Sequence, residues 1–254
     1  MKNKTGALFG RLMKHILRSP DTIITVALIP IAMMLLFVYV FGGAIRPSIG
    51  GGTNYVNYLL PGILLMAIAS GISYTAYRMF QDVQRGIFQR FNSMPIPRSA
   101  ALWGHVLCSL VSNMITVAII FLVGLLIGFR SSAGILNWLA AIGILVLFTL
   151  ALTWLAVIPG ITAKSMEGAS AFAYPLIFLP FISSAFVPTD TMPKVVRAFA
   201  EYQPVTPIVN AIRALLGNQP AGNDLWIALA WCVGITIAAY FFAMRAYNKK
   251  ALHR

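Results

Sequence analysis

Six acidic residues, three histidines and two cysteines are all that 254 residues offer for acid–base, nucleophilic or metal chemistry. They form no set. His15, His105 and His253 show no ligand spacing, and Cys108 and Cys232 lie in long apolar runs, where a thiol acts as a small apolar packer. GxxxxGK[ST], HExxH and GxSxG are all missing. ATP phosphates are therefore not cradled by this chain, and neither a cofactor nor a metal is expected in it. The interiors of the apolar runs hold no Asp or Glu. An ion-coupled carrier usually needs such a group at membrane depth. His105 falls near one membrane face, where packing or the interface suits it better than a proton relay.

What remains is patterned rather than catalytic. Between Asp82, Arg85, Gln89, Arg90 and Asn92, the residues Val83, Ile87, Phe88, Phe91 and Met94 recur at helical spacing, and Met94-Pro95-Ile96-Pro97 ends the helix. A short helix offering apolar and cationic groups together fits a groove on a soluble partner; a headgroup-facing loop would read the same way. Ser109, Ser112, Asn113 and Thr116 share one face of a later run, and Ser70, Ser73 and Tyr77 share a face of an earlier one. Such stripes either line a substrate route or hold membrane helices together. Ser183-Ser184 follows Pro175 and Pro180, which predicts a kinked helix whose freed carbonyls need partners.

The elements that carry these residues follow from composition. The chain is 59% hydrophobic and 10% charged, against about 25% charged in a soluble domain. That excludes an ordinary soluble globule and a disordered chain, and leaves an all-α integral membrane protein. Six transmembrane helices are predicted, at about 21–41, 55–77, 99–129, 132–161, 168–187 and 225–245. The two runs of about 30 residues must tilt, bend or project, since ~45 Å of helix exceeds a core of ~30 Å. Residues 1–20 are basic with no apolar core, which argues against a cleaved leader; Leu8, Phe9, Leu12, Met13, Ile16 and Leu17 predict an amphipathic helix against lipid headgroups. Residues 78–98 form a polar loop. Residues 188–222 carry five prolines and two short helices, about 194–200 and 206–216, too short to cross and expected to be re-entrant or interfacial.

The net charge of +13 does not point to nucleic acid, because the cations lie in gaps between apolar runs rather than in one patch. Fourteen of the 19 Lys and Arg fall in residues 1–20, 78–98, 162–167 and 245–254, and five in the other gaps. The positive-inside rule makes the first group, with both termini, cytoplasmic. An even span count requires the same.

Three stretches carry a resemblance to a known family. Gln81-Asp82-Val83-Gln84-Arg85-Gly86-Ile87-Phe88-Gln89-Arg90-Phe91 through Met94-Pro95-Ile96-Pro97-Arg98 is one. Phe181-Ile182-Ser183-Ser184-Ala185-Phe186-Val187-Pro188 through Met192-Pro193 is the second, and Pro204 through Arg213 and Gly217 the third. Together they resemble the permease subunits of ABC type-2 exporters, most closely the daunorubicin-resistance drug-efflux type. That family commonly has Asn-Pro where this chain has Gln203-Pro204.

The resemblance implies a division of labour. Residues 5–18 would be an elbow helix and 82–92 a coupling helix docked on a separate ATPase subunit that holds ATP and Mg. Phe88 and Phe91 would anchor in its groove, Arg85 and Arg90 would pair with acidic groups on the rim beside Asp82, and Gly86 would permit close approach. A second permease copy, identical or not, would complete the path. Ser73, Tyr77, Ser109, Asn113, Thr116 and Ser183 are the candidates to line it. The setting implied is a prokaryotic plasma membrane and the cargo an amphipathic drug or lipid; polysaccharide or lipid-linked polymer export, a self-contained carrier or channel and, more weakly, a membrane-embedded enzyme are the competing readings.

Overall fold

A computed structural model describes residues 20–45, 54–86 and 98–252. The described residues are helical, with no strand among them. In chain order they form α1 (Pro20–Leu35), a π-helical segment (Leu36–Phe41), α2 (Gly42–Ile45), α3 (Tyr55–Gln84), α4 (Arg98–Ile127) and α5 (Ile135–Thr162). Then come α6 (Met166–Ala171), α7 (Ala173–Phe178), two 3-10 turns (Leu179–Ile182 and Thr189–Thr191), α8 (Lys194–Tyr202), α9 (Val205–Leu216) and α10 (Gly222–Leu252). The expected elbow helix lies outside the described residues, as do Phe88, Arg90 and Phe91.

Five segments are long and apolar enough to cross a membrane: Ile24–Ile45, Tyr55–Gln84, Leu102–Ile127, Ile135–Thr162 and Gly222–Lys249. Burial ranks them. Every residue from Leu59 to Ala69 is buried, so α3 is enclosed on all sides. It packs against α1, α4, α5, α6, α7 and α9, while α10 lies chiefly along α5. The peripheral helices leave large apolar side chains bare: Leu28 and Tyr39 toward the start of the chain, Leu126 on α4, Leu136 on α5, Ile237 and Phe241 on α10. So much exposed apolar area would be a liability in water and is ordinary against lipid. Inside a bilayer the hydrophobic effect does not hold helices together; close packing does, and small residues permit it. At Gly160 of α5, a Cβ would stand 2.7 Å from the Met79 Cβ of α3.

Several boundaries differ from those read in the sequence. The expected second span stops at Arg78, but α3 continues to Gln84. A charge ends the membrane-buried part of a helix without ending its backbone ladder. Gly86, at φ +69°, is what stops it, because the left-handed conformation is open to glycine at little cost. The first helical stretch likewise passes through Gly42-Gly43 to Ile45.

The expected fifth span, 168–187, is not one helix. It is α6, α7 and a 3-10 turn, broken where Pro175 and Pro180 remove amide donors. The broken run lies antiparallel to α3. Ser73 Oγ donates to the Ser170 carbonyl (3.2 Å), and at the far end Tyr55 Oη donates to the Phe186 carbonyl (3.3 Å). The two short helices expected beyond it are present as α8 and α9, the latter capped at Gly217.

Candidate functional site

At one end of the bundle, side chains hold a turn that has left the helical ladder. The turn at 183–187 has no helical ladder, and its carbonyls find donors elsewhere. Arg213 of α9 donates to the carbonyls of Ser184 (2.8 Å) and Tyr58 (3.1 Å) and to Asn210 Oδ1 (3.1 Å), with its guanidinium 3.7 Å above the Tyr58 ring. Gln203 Nε2 donates to the carbonyls of Leu179 (3.2 Å) and Ile182. Ser184 N–H donates to Thr206 Oγ1 (3.3 Å), and Ser183 Oγ donates to the Pro180 carbonyl (2.6 Å). The irregular backbone that follows the two prolines is thus held by α9 and by the residue just before Pro204. Ser183 is fully buried in this turn. Phe186 stacks on Phe37 at 4.8 Å, which ties the turn to the π-helical segment.

The same end holds the α4–α5 connection. Asn54 caps α3 and donates to the Gly128 carbonyl (2.9 Å), and Asn57 exchanges hydrogen bonds with the Arg130 backbone. Ser131 donates to the Leu216 carbonyl at 2.6 Å. Here, on exposed α8, Arg197 lies between Asp190 (2.8 Å) and Glu201 (2.7 Å). The hydrogen bond to Glu201, and then the two negative charges, raise the Arg197 pKa.

At the opposite end, α3 and α4 meet through a row of polar residues. Asn113 packs over Gly71, where an added Cβ would stand 2.0 Å from Asn113 Oδ1. One helical turn on, Thr75 and Ser109 share a hydrogen bond between their hydroxyls. Asn113 Nδ2 also donates to the Ser109 carbonyl at 2.9 Å. Further toward the end, His105 Nε2 meets Asp82 Oδ2 at 3.1 Å. Residues 105, 109 and 113 are spaced by four, so one stripe of α4 faces one stripe of α3.

Of the residues expected along a substrate path, Ser109, Asn113 and Thr116 are buried. Ser109 and Asn113 face α3, while Thr116 Oγ1 donates to the Ser112 carbonyl of its own helix (3.2 Å). Ser73 faces α6, and Tyr77 accepts a bond from Gln81 Nε2 (2.7 Å); both are partly exposed. Thr75 escaped the sequence reading. Its signal was its position four residues after Gly71, since a small residue and a hydroxyl one turn apart are what a polar stripe on a neighbouring helix can pack against.

Of the expected coupling residues, Asp82 turns inward to His105, Arg85 caps α3, and Gly86 ends the helix. An apolar groove of about 310 Å³ opens between α5, α7 and α10, lined by Phe148, Leu152, Leu176, Leu179, Pro204 and Phe242 among others. Among the described residues no cluster of His, Cys, Asp and Glu could hold a metal.

Comparison with known proteins gives this arrangement its context. Residues 3–216 match the family model described as ABC-2 type transporter. The chain belongs to the ABC-2 type transporter family. It is 30% identical over 249 residues to the daunorubicin resistance ABC transporter permease protein DrrB1 of Streptomyces coeruleorubidus, covering 96% of this chain and 85% of the relative. It is 23% identical over 247 residues to a probable doxorubicin resistance ABC transporter permease protein, DrrC, of Mycobacterium tuberculosis (strain CDC 1551 / Oshkosh), covering 96% and 88%. The ABC-2 chain is thus a transmembrane permease subunit of an ABC exporter. It is a multi-pass protein of the plasma membrane, and membership implies an ATP-binding partner subunit.

Proposed function

We propose that the chain crosses the membrane six times with both termini in the cytoplasm, and exports an amphipathic drug or lipid when ATPase subunits dock on residues 78–98. Two permease chains, alike or not, enclose the path; ATP and Mg belong to the ATPases, and this chain is not catalytic. The observation that carries the reading is the projection of α3. Its 30 residues span ~45 Å at 1.5 Å per residue, against a hydrocarbon core of ~30 Å. The excess sits at the end bearing Arg78, Asp82 and Arg85, which is also the cation-rich end by the charge sorting.

Six crossings are supported by the broken run from Met166 to the 183–187 turn, which pairs with α3 from Ser73 to Tyr55 and so goes from one end of the bundle to the other. Irregular backbone at membrane depth is tolerated where protein encloses it, and Arg213, Gln203 and Thr206 do so here. The apolar groove suits the greasy part of a cargo. The relatives' names make daunorubicin and doxorubicin the first substrates to try. Buried Ser109 and Asn113 hold α3 and α4 together and buried Thr116 bonds its own helix, while the partly exposed Ser73 and Tyr77 are better placed to meet cargo.

Co-purification tests the reading. The native chain is expected to carry a soluble ATPase in fixed ratio, and Phe88→Asp with Phe91→Asp to lose it. Retention by the double variant would overturn the docking assignment; transport in proteoliposomes without any ATPase would overturn the division of labour.

A further inference from the structure

From the contacts between α3 and α4 we infer that Asp82 and His105 are positioning residues: their pairing clamps both ends of the coupling segment, so that a push on it moves α3 and α4 together. The inference rests on the functional reading above and adds what the segment pushes against.

His105 Nε2 lies 3.1 Å from Asp82 Oδ2, and the side chains are 11% and 20% exposed, so the contact is shielded on most sides. A hydrogen bond to a carboxylate is among the stronger ones, and one shielded from water keeps its geometry better than an exposed one. Asp82 sits two residues before the end of α3 and His105 seven residues after the start of α4, so the pair joins the two helices on either side of the expected docking segment. Without such a clamp, α3 and α4 could part at the end that the segment joins, and a push on it would move one helix past the other instead of both together.

The contact is also the last member of a row. Behind it lie the Thr75–Ser109 hydrogen bond and the Gly71–Asn113 contact, in register along the same two helices. These tie the clamp to the middle of the bundle. Asp82, one of the expected coupling residues, thus reaches α4 from the end of α3. Interfacial packing alone would not require an acid and an imidazole at matching positions on two helices.

Electron paramagnetic resonance on the intact permease–ATPase complex tests this without knowledge of the cargo. Spin labels go on Leu126→Cys and Trp226→Cys, both exposed, on α4 and α10; Cys108 and Cys232 are buried. ATP with vanadate, which traps the closed ATPase, is expected to shift the label distance in the native-pair complex. Asp82→Asn or His105→Gln should cut that shift at least twofold while ATPase binding persists. The exchanged pair, Asp82→His with His105→Asp, should restore it.

A full shift in the single variants overturns the clamp, as does no shift in the native pair. Failure of both single variants to assemble also overturns it, since the pair would then be a folding determinant. A native chain that binds no ATPase overturns the functional reading and the clamp together.

Discussion

Arg213 carries more of the fold than any other single cation described. Its fork reaches three backbone carbonyls, of Tyr58, Ser184 and, at 3.5 Å, Ala185, and one amide oxygen, above an aromatic face. No side-chain carboxylate is among these partners, so the residue serves backbone rather than charge. Arg213→Ala should cost on the order of 3 kcal/mol, because hydrogen bonds to a charged donor are lost and buried carbonyls are left unmet. Arg213→Lys should recover less than half, since a point-like ammonium cannot span the carbonyls of Tyr58 and Ser184 as the planar fork does. Thermal unfolding in detergent checks both, at roughly 2–4 °C per kcal/mol for a chain of this size. Little of this was legible in the sequence. The sequence offers Arg213 only as one of five cations outside the cytoplasmic group, and the carbonyls of Ser184 and Tyr58 lie 29 and 155 positions away. The stripe at Ser109 and Asn113 was legible, because helical spacing alone places those residues on one face. Its partner Gly71 was not, since a glycine leaves no periodic signal, and Thr75 is marked only by lying four residues after that glycine.

For the elements, the sequence spoke clearly where a helix end has a local cause. Gly217 marked the end of α9, which closes at Leu216. The sequence misled at α3, where Arg78 was read as an end although nothing in its backbone chemistry stops a helix. It was half right at 168–187: Pro175 and Pro180 predicted a kink, whereas the α9 side chains that hold the turn beyond it, Arg213 and Thr206, come from far along the chain. Packing between elements makes a prediction of its own. Gly160 brings α5 against Met79, so Gly160→Leu should force the helices apart at a cost of about 1–3 kcal/mol. Gly143, on the same helix, has nothing within 4 Å of an added Cβ. Gly143→Leu should therefore leave the unfolding temperature nearly unchanged and serve as the control.

At the scale of the whole molecule, the ends of the bundle sort themselves before any membrane is invoked. Asn54, Gly128, Ser131 and Leu216 meet at one end, and Asn137 at the start of α5 bonds Asn218 there (3.0 Å). α5 and α10 both start at this end, so Lys164 after α5 and Lys249 near the close of α10 belong to the other. Charge sorting assigns that other end to the cytoplasm. The assignment makes a labelling pattern. Gln219, Lys164 and Lys249 are exposed, and both native cysteines are buried. With a membrane-impermeant maleimide on intact cells, Gln219→Cys should react, while Lys164→Cys and Lys249→Cys should react only after the cells are opened. Reversal of the pattern would put the α3–α4 loop outside, where no ATP-driven partner could reach it. Labelling of Gln219→Cys and Lys249→Cys from the same side would instead leave the fold intact and remove one crossing at α10. The pattern therefore tests orientation and span count separately, and both must hold for a push at residues 78–98 to become outward movement of cargo.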